Sequence, residues 1–295
     1  MTRTVLILGS NGKIGHHSAK AFAAAGWAVR IYRRGTDMTA AAMGADVIVN
    51  GLNPPAYHNW ASLIPEITAQ VIAAAKASGA TVILPGNVYN FGDTGGVWSE
   101  TTPHRPVSRK GHIRKAMEAQ YRDSGVQTII LRAGNFIDPE GNGDIMRLFL
   151  LRGIAQGRIT SGGAPDVMQA YCFVPDWARA VVQLAEKRAA LARFEDIPFP
   201  GHAFTVNALR DRLQAQLGRP LKVVRFPWWM MRLAGPFWEL ARELTEMRYL
   251  WDTHHQLCAD KFTRLLPDFV PTPLDQVMLA GVPATVTGAG LAPAV

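Results

Sequence analysis

Lys110 and Arg114, in the stretch Arg109-Lys-Gly-His-Ile-Arg114, stand four residues apart. On a helix that spacing puts them on one face. A guanidinium one turn away disfavours a charged ammonium, so Lys110 could act as a general acid or base if burial pushed the same way. The same pair, with Arg105, Arg109 and Lys115 close in sequence, would equally bind a carboxylate or phosphate and move no proton. A plainer alternative is a solvated basic helix start in which Arg114 pairs with Glu118. Arg114 is a poor acid, because it stays charged, but it can donate to a ribose hydroxyl. Tyr89, in "NVYNFG", is the other candidate proton donor, with a packing role as its alternative. Asn87, Asn90 and Asn135 are polar groups expected at strand ends beside a cleft.

A second constellation lies near the N-terminus. "LGSNGKIG" places glycines at 9, 12 and 15, between an apolar run and an Ala-rich stretch. A strand, a glycine turn and a helix N-terminus in that order offer free N–H groups to a pyrophosphate. Gly9, Ser10, Asn11, Gly12, Lys13, Ile14 and Gly15 are the expected phosphate-side residues. The next apolar run ends in "IYRRG", where an NAD-binding protein usually carries an acid for the ribose 2′-OH. Arg33 and Arg34 can instead grip a 2′-phosphate, so NADP(H) is the expected cofactor; two solvated loop arginines are the alternative.

The elements that must position these residues follow from hydrophobic runs and their punctuation. "RTVLIL", "WAVRIYRRG", "ADVIVNG", "ATVILPG" and "VQTIILRAG" read as strands, apolar throughout. "GKIGHHSAKAFAAAG", "IPEITAQVIAAAKASG" and residues 111–124 read as the helices between them. Such alternation indicates a parallel sheet covered on both faces. The expected fold class is α/β, a Rossmann-type doubly wound sheet with a small C-terminal substrate lobe. Residues 1–140 are expected as the NADP-binding domain. Residues 141–282 are expected as the substrate lobe, with some helices returning to the sheet, and 283–295 as a flexible tail. Strand-end residues Asn50, Gly51, Leu52, Pro85, Gly86, Asn87, Ala133 and Gly134 are expected to line the cofactor.

The 295-residue chain is 48% hydrophobic and 18% charged, as in an ordinary globular protein. No apolar run is long enough to span a bilayer, and the N-terminal run is too short for a signal segment. Cys172 and Cys258 form no disulfide framework, so a cytoplasmic location is expected. The net charge of +8 is spread out, which favours simple basicity over nucleic-acid binding. The expected partner is a small-molecule substrate, with neither nucleic acid nor membrane; a homodimer is compatible with the sequence. "PWWMMRLAGPFW" is expected as core or subunit interface rather than as a membrane-surface helix. His254 and Cys258, spaced i, i+4 on an expected helix, lack a third partner for zinc, and no metal is expected. His16 and His17 are read as ordinary helix residues.

The chain resembles the short-chain dehydrogenase/reductase superfamily, in its extended and atypical, NAD-dependent epimerase/dehydratase-like group. The residues that carry this are "GSNGKIG", "DVIVNGLNP", "NVYNFGD", "LRAGNFIDP", "FVPDWARAV" and "PTPLDQVM". The resemblance implies an oxidoreductase acting on a small carbonyl or alcohol substrate, and the basic cluster suits an anionic one. It also marks departures. Residues 35–45 are too few for the family's third strand and helix, so one flank of the sheet is trimmed. Counting back from Glu118, the family's Ser or Thr, Tyr and Lys positions hold Pro85, Lys110 and Arg114. That loss raises a non-catalytic NADP-binding sensor or scaffold as the alternative; sugar-nucleotide epimerisation, which uses the Tyr and a bound NAD, is less expected.

Overall fold

Thr4–Leu8 (β1) carries no charge and buries Val5 to Leu8 completely, as a strand covered on both faces must. In the computed structural model, which describes residues 2–141, 143–283 and 286, it lies within a six-stranded parallel sheet. The other strands are Ala28–Ile31 (β2), Val47–Asn50 (β3), Thr81–Gly86 (β4), Thr128–Arg132 (β5) and Phe194–Pro198 (β6). Their order across the sheet is β6-β5-β4-β3-β1-β2. The chain steps outward in both directions from the β1–β3 pair, so a crevice opens at the carboxyl ends of those two strands.

The two faces separate by the two-residue period of a strand. Val5, Ile7, Val47, Val49, Ile83 and Ile129 meet Lys13–Ala24 (α1) and Val174–Lys187 (α5) through Phe22, Trp177 and Val181. Leu6, Leu8, Ile48, Val82 and Ile130 meet Trp60–Ser78 (α3) and Arg109–Asp123 (α4) through Ile64, Val71, Met117 and Tyr121. Between β2 and β3 there is only Met38–Ala42 (α2), started by the Asp37 carboxylate accepting from Thr39 N at 2.8 Å. The expected trimming of that flank is present, and β2 is the sheet's edge. Arg30 covers part of the edge by donating to the Ala41 and Met43 carbonyls, both at 2.8 Å.

The C-terminal lobe holds three small sheets, pairing 169–173 with both 202–204 and 135–137, 222–225 with 158–161, and 255–257 with 96–98. Its helices are Val206–Leu217 (α6), Trp228–Ala234 (α7), Glu239–Glu246 (α8), Asp260–Leu265 (α9) and Leu274–Leu279 (α10). The buried Asp176 carboxylate at the start of α5 accepts from Thr272 N and Oγ1, both at 2.7 Å. "FVPDWARAV" and "PTPLDQVM", about a hundred residues apart, are thus joined. Gly235-Pro236 separates α7 from α8.

Three expectations need correction. β6 lies within the span assigned to the substrate lobe yet completes the main sheet. Of the two readings of "PWWMMRLAGPFW", core or subunit interface, the first fails: Trp229, Met230, Leu233, Phe237 and Trp238 are exposed, although Trp228 is buried. The stretch 254–258 forms a strand at His255–Leu257, so His254 and Cys258 do not share a helix face. The expected tail, apart from residues 283 and 286, lies outside the described residues.

Candidate functional site

The glycine turn is built by exclusion of side chains. Gly9 has φ +76°, and a Cβ there would lie 2.8 Å from the Gly51 carbonyl oxygen. A Cβ on Gly15 would run into the Gly9 carbonyl and lie 2.8 Å from Ser10 Cα, so this glycine lets α1 pack against the turn. Gly12 differs: it is the N-cap of α1, has an extended backbone, and its Cβ would come no nearer than 3.4 Å to a protein atom. It lines the cleft with Asn11, Lys13 and Ile14. No side chain caps α1 and its first turn holds no acid, so the free N–H groups and the positive dipole end remain for an anion. Lys13 Nζ donates to the Gly143 carbonyl at 2.9 Å. Burial pulls its ammonium below the usual lysine value, against the opposing Asp144 and Asp138 carboxylates.

The cleft has a volume of 660 Å³ and runs from this turn past Asn50, Gly51, Leu52, Pro85, Gly86 and Asn87 to Tyr57, Tyr89 and Arg114. Asn50 is held in place by donating to Tyr121 Oη and accepting from Leu52 N, each at 3.1 Å. Arg114 reaches in from α4 and donates from Nη2 to the Pro85 carbonyl at 2.6 Å. Its Nε is buried with no hydrogen-bond partner among the described residues. Burial pulls the guanidinium below its usual value, Glu118 and Tyr89 oppose, and a guanidinium so buried still needs an acceptor. Tyr89 Oη lies 3.2 Å from Tyr57 Oη. Burial raises both phenols, Tyr89 well above the usual tyrosine value, so each is a donor at neutral pH.

Tyr57 had no sequence signal beyond its place in "NPPAYHNW". It stands on a turn where Ala56, Tyr57 and Asn59 all have positive φ, of 50°, 62° and 46°. Such conformations cost non-glycine residues about 1 kcal/mol or more each and gather at functional sites.

Lys110 is elsewhere. It is fully buried and does not line the cleft. Its Nζ is ion-paired with Glu243 and, at 2.6 Å, with Glu246, both on α8, and its backbone N–H donates to Glu246 at 3.0 Å. Arg109 joins them by donating to Glu243 at 2.7 Å. Burial pushes the Glu243 carboxyl up, but the Lys110 and Arg109 hydrogen bonds outweigh it and hold the group below the usual carboxylate range. Neither a solvated helix start nor a free cationic cluster describes this arrangement. Of the expected cations, Arg109 and Lys110 are met by α8, Lys115 donates to the His104 carbonyl, and only Lys13 and Arg114 line the cleft.

The expected Arg114–Glu118 pair is also replaced. Glu118 accepts from Arg132 at 3.1 and 2.8 Å and from Asn90 Nδ2 at 2.7 Å. Arg132 also donates to Asp196 of β6 at 3.1 and 2.6 Å. Burial works to lower this guanidinium, and the two carboxylates overcome it and hold it above its usual value. His104 lies at the edge of the same group, so the His104, Glu118 and Asp196 cluster already surrounds a cation. Asn90 is therefore structural. Ala133 lies in the core, Gly134 packs against Ala170, and neither they nor Asn135 line the cleft. His17 is buried against Asp138 at 2.9 Å, and His16 pairs with Glu140 at 2.7 Å.

A second cavity, of 590 Å³, continues from Leu52 and Asn53 past the end of β2. Tyr32, Arg34, Gly35, Thr36 and Asp37 line it; Arg33 is exposed outside it. Neither guanidinium has a side-chain partner among the described residues. The Asp37 carboxylate is engaged with the α2 backbone.

No family model matches the sequence, and no curated protein does. The fold matches solved structures over nearly the whole chain. UDP-glucuronic acid 4-epimerase from Bacillus cereus, solved with UDP-glucuronic acid and NAD, aligns at TM-score 0.76 and 15% identity, covering 94% of this chain and 97% of that one. MoeE5, solved with UDP-glucose and NAD, aligns at 0.74 and 15%, with the same coverage. A nucleoside-diphosphate-sugar epimerase from Pseudomonas aeruginosa aligns at 0.71 and 16%, covering 96% and 97%. At such identities the likeness speaks for architecture alone: this chain has the Rossmann-type α/β fold of those structures.

Proposed function

We propose that the protein binds a nicotinamide dinucleotide, NADP(H) in preference to NAD(H), and is an oxidoreductase for a small carbonyl or alcohol substrate. Arg114 carries the reading. It sits across the cleft from the glycine turn with an unpaired buried Nε, where a ribose hydroxyl would complete it. The N-terminus of α1 and Lys13 hold the pyrophosphate. Arg34 reaches the 2′-phosphate in the outer cavity. Bound there, the cofactor supplies hydride transfer to or from carbon. The protein supplies orientation and a proton, and the proton comes from Tyr89, relayed by Tyr57, rather than from Lys110.

The structures aligned above include proteins solved with NAD and UDP-sugars, which supports a dinucleotide. Epimerisation remains the less favoured chemistry here, because α4 has no phenol at the Lys110 position. The non-catalytic reading has one specific support: the position that would hold the proton donor is spent on tethering α8. Calorimetric titration with NADPH and NADH, then turnover against aldehydes, ketones and keto acids, separates these. At least tenfold tighter NADPH binding with turnover is expected. Equal affinities would overturn the NADP preference, and tight binding without turnover would favour the sensor.

A further inference from the structure

We propose that the α7–α8 hairpin is a docking surface for an anionic lipid bilayer, on which the protein rests peripherally. Among the described residues, eleven large hydrophobic side chains are exposed, and five of them fall within residues 229–238. Leu233 is 70% exposed and Phe237 95%. Such clustering departs from the scattered apolar exposure of ordinary surfaces.

The local structure explains the exposure. Trp228 is the inward anchor of α7: its indole N–H donates to the Gly162 carbonyl at 2.6 Å and its ring meets Phe226 edge-on. With Trp228 turned in, Trp229, Met230 and Leu233 are left outward, and the break at Gly235-Pro236 projects Phe237 and Trp238 beside them. No helix among the described residues is long and apolar enough to cross a membrane, so the contact would be superficial.

Charge selects the occupant. Between Asp211 and Glu239 the chain has five cations, Arg212, Arg219, Lys222, Arg225 and Arg232, and no acid. Lys222, Arg225 and Arg232 are exposed, and no side-chain hydrogen bond or ion pair engages them among the described residues. Glu239, the first acid, is engaged by His58 at 2.9 Å. A second copy meeting this face across a two-fold axis would bring Lys222, Arg225 and Arg232 towards their own equivalents. Anionic headgroups would pair them, while indole and phenyl rings enter the headgroup–acyl boundary. Because Glu239 meets His58 on the turn carrying Tyr57, the docked face would border the rim of the cleft.

The test is co-sedimentation of the full chain with vesicles of phosphatidylcholine alone and of phosphatidylcholine with 30% phosphatidylglycerol, in low salt and in 0.5 M salt. At least tenfold stronger partitioning onto the anionic vesicles is expected, weakened by salt. The triple variant W229S/L233S/F237S should lose at least tenfold of it, as should R225E/R232E, both with an unchanged melting temperature. Absence of binding to anionic vesicles, or binding indifferent to both variants, overturns the proposal. So would a dimer in light scattering that the triple variant splits, since the face would then belong to a second copy.

Discussion

Replacing Lys110 by Met removes an ammonium of similar length from between Glu243 and Glu246. Deleting one partner of a fully buried ion pair costs about 3–5 kcal/mol. Two features reduce that here: Arg109 still donates to Glu243, and the Glu246 side chain is 22% exposed. A loss of about 2–3 kcal/mol is therefore expected, which lowers the melting temperature by about 3–5 °C for a chain of this size. The pH dependence carries the sharper test. In the parent, Glu243 is held below its unfolded value of about 4.3, so its contribution is full above that pH and fades as pH falls through the lower folded value. Without Lys110 only Arg109 opposes burial, the largest single influence on this carboxyl, so the folded value rises. The penalty is then full at pH 7 and vanishes as pH falls towards 4. Melting curves of parent and K110M at pH 7, 6 and 5 should converge on acidification. The triple variant K110M/E243Q/E246Q should recover much of the loss at pH 7. A K110M protein that melts with the parent at pH 7 but has lost turnover would refute this reasoning and return Lys110 to chemistry.

The two cleft glycines should separate stability from binding. Gly15→Ala forces backbone against backbone and should cost about 1–3 kcal/mol in denaturant titration, whereas Gly12→Ala should melt as the parent does and bind dinucleotide at least tenfold more weakly in calorimetry. Tyr89→Phe should lower carbonyl reduction by about 10²-fold or more in a steady-state assay, and Tyr57→Phe, which breaks the relay, should lower it at least as far. Burial holds both phenols above the usual tyrosine value, so the parent's rate should show no tyrosine inflection between pH 6 and 9.

The strands were legible because a strand covered on both faces must be apolar along its whole length, as Val47–Val49 and Ile129–Leu131 are. β6 escaped for the converse reason. Its Glu195 and Asp196 look like loop residues until Lys261 and Arg132, the latter 64 positions away, are seen to pair with them. The register from Glu118 did put Lys110 and Arg114 on one buried helix face. What meets that face was not local: Glu243 and Glu246 come from α8, more than 130 positions further along the chain. Helical spacing likewise reports that Trp229 and Leu233 share a side of α7 but not whether anything covers it. Tyr57 depends on three left-handed residues, Ala56, Tyr57 and Asn59, of which only Asn59 is a type that favours that conformation.

Lys110 and Arg114 share a helix face but have been committed to different tasks. Arg114 is one turn further along α4, turned to the cleft, with one hydrogen bond to the Pro85 carbonyl and its buried Nε–H unspent among the described residues. Lys110 has its charge met by two carboxylates and its ammonium 5.1 Å from the Tyr57 ring. It therefore fixes both α8 and one side of the turn that presents Tyr57. Loss of the tether should thus disturb Tyr57 and the His58–Glu239 contact before it reaches the glycine turn, which touches neither. Cofactor affinity and reaction-side geometry are separable in this architecture. K110M should keep dinucleotide affinity within about threefold wherever it is folded, since 1.4 kcal/mol is tenfold and no cofactor-side contact is removed. A collapse of affinity in folded K110M would mean that α8 also orders the cofactor half of the cleft.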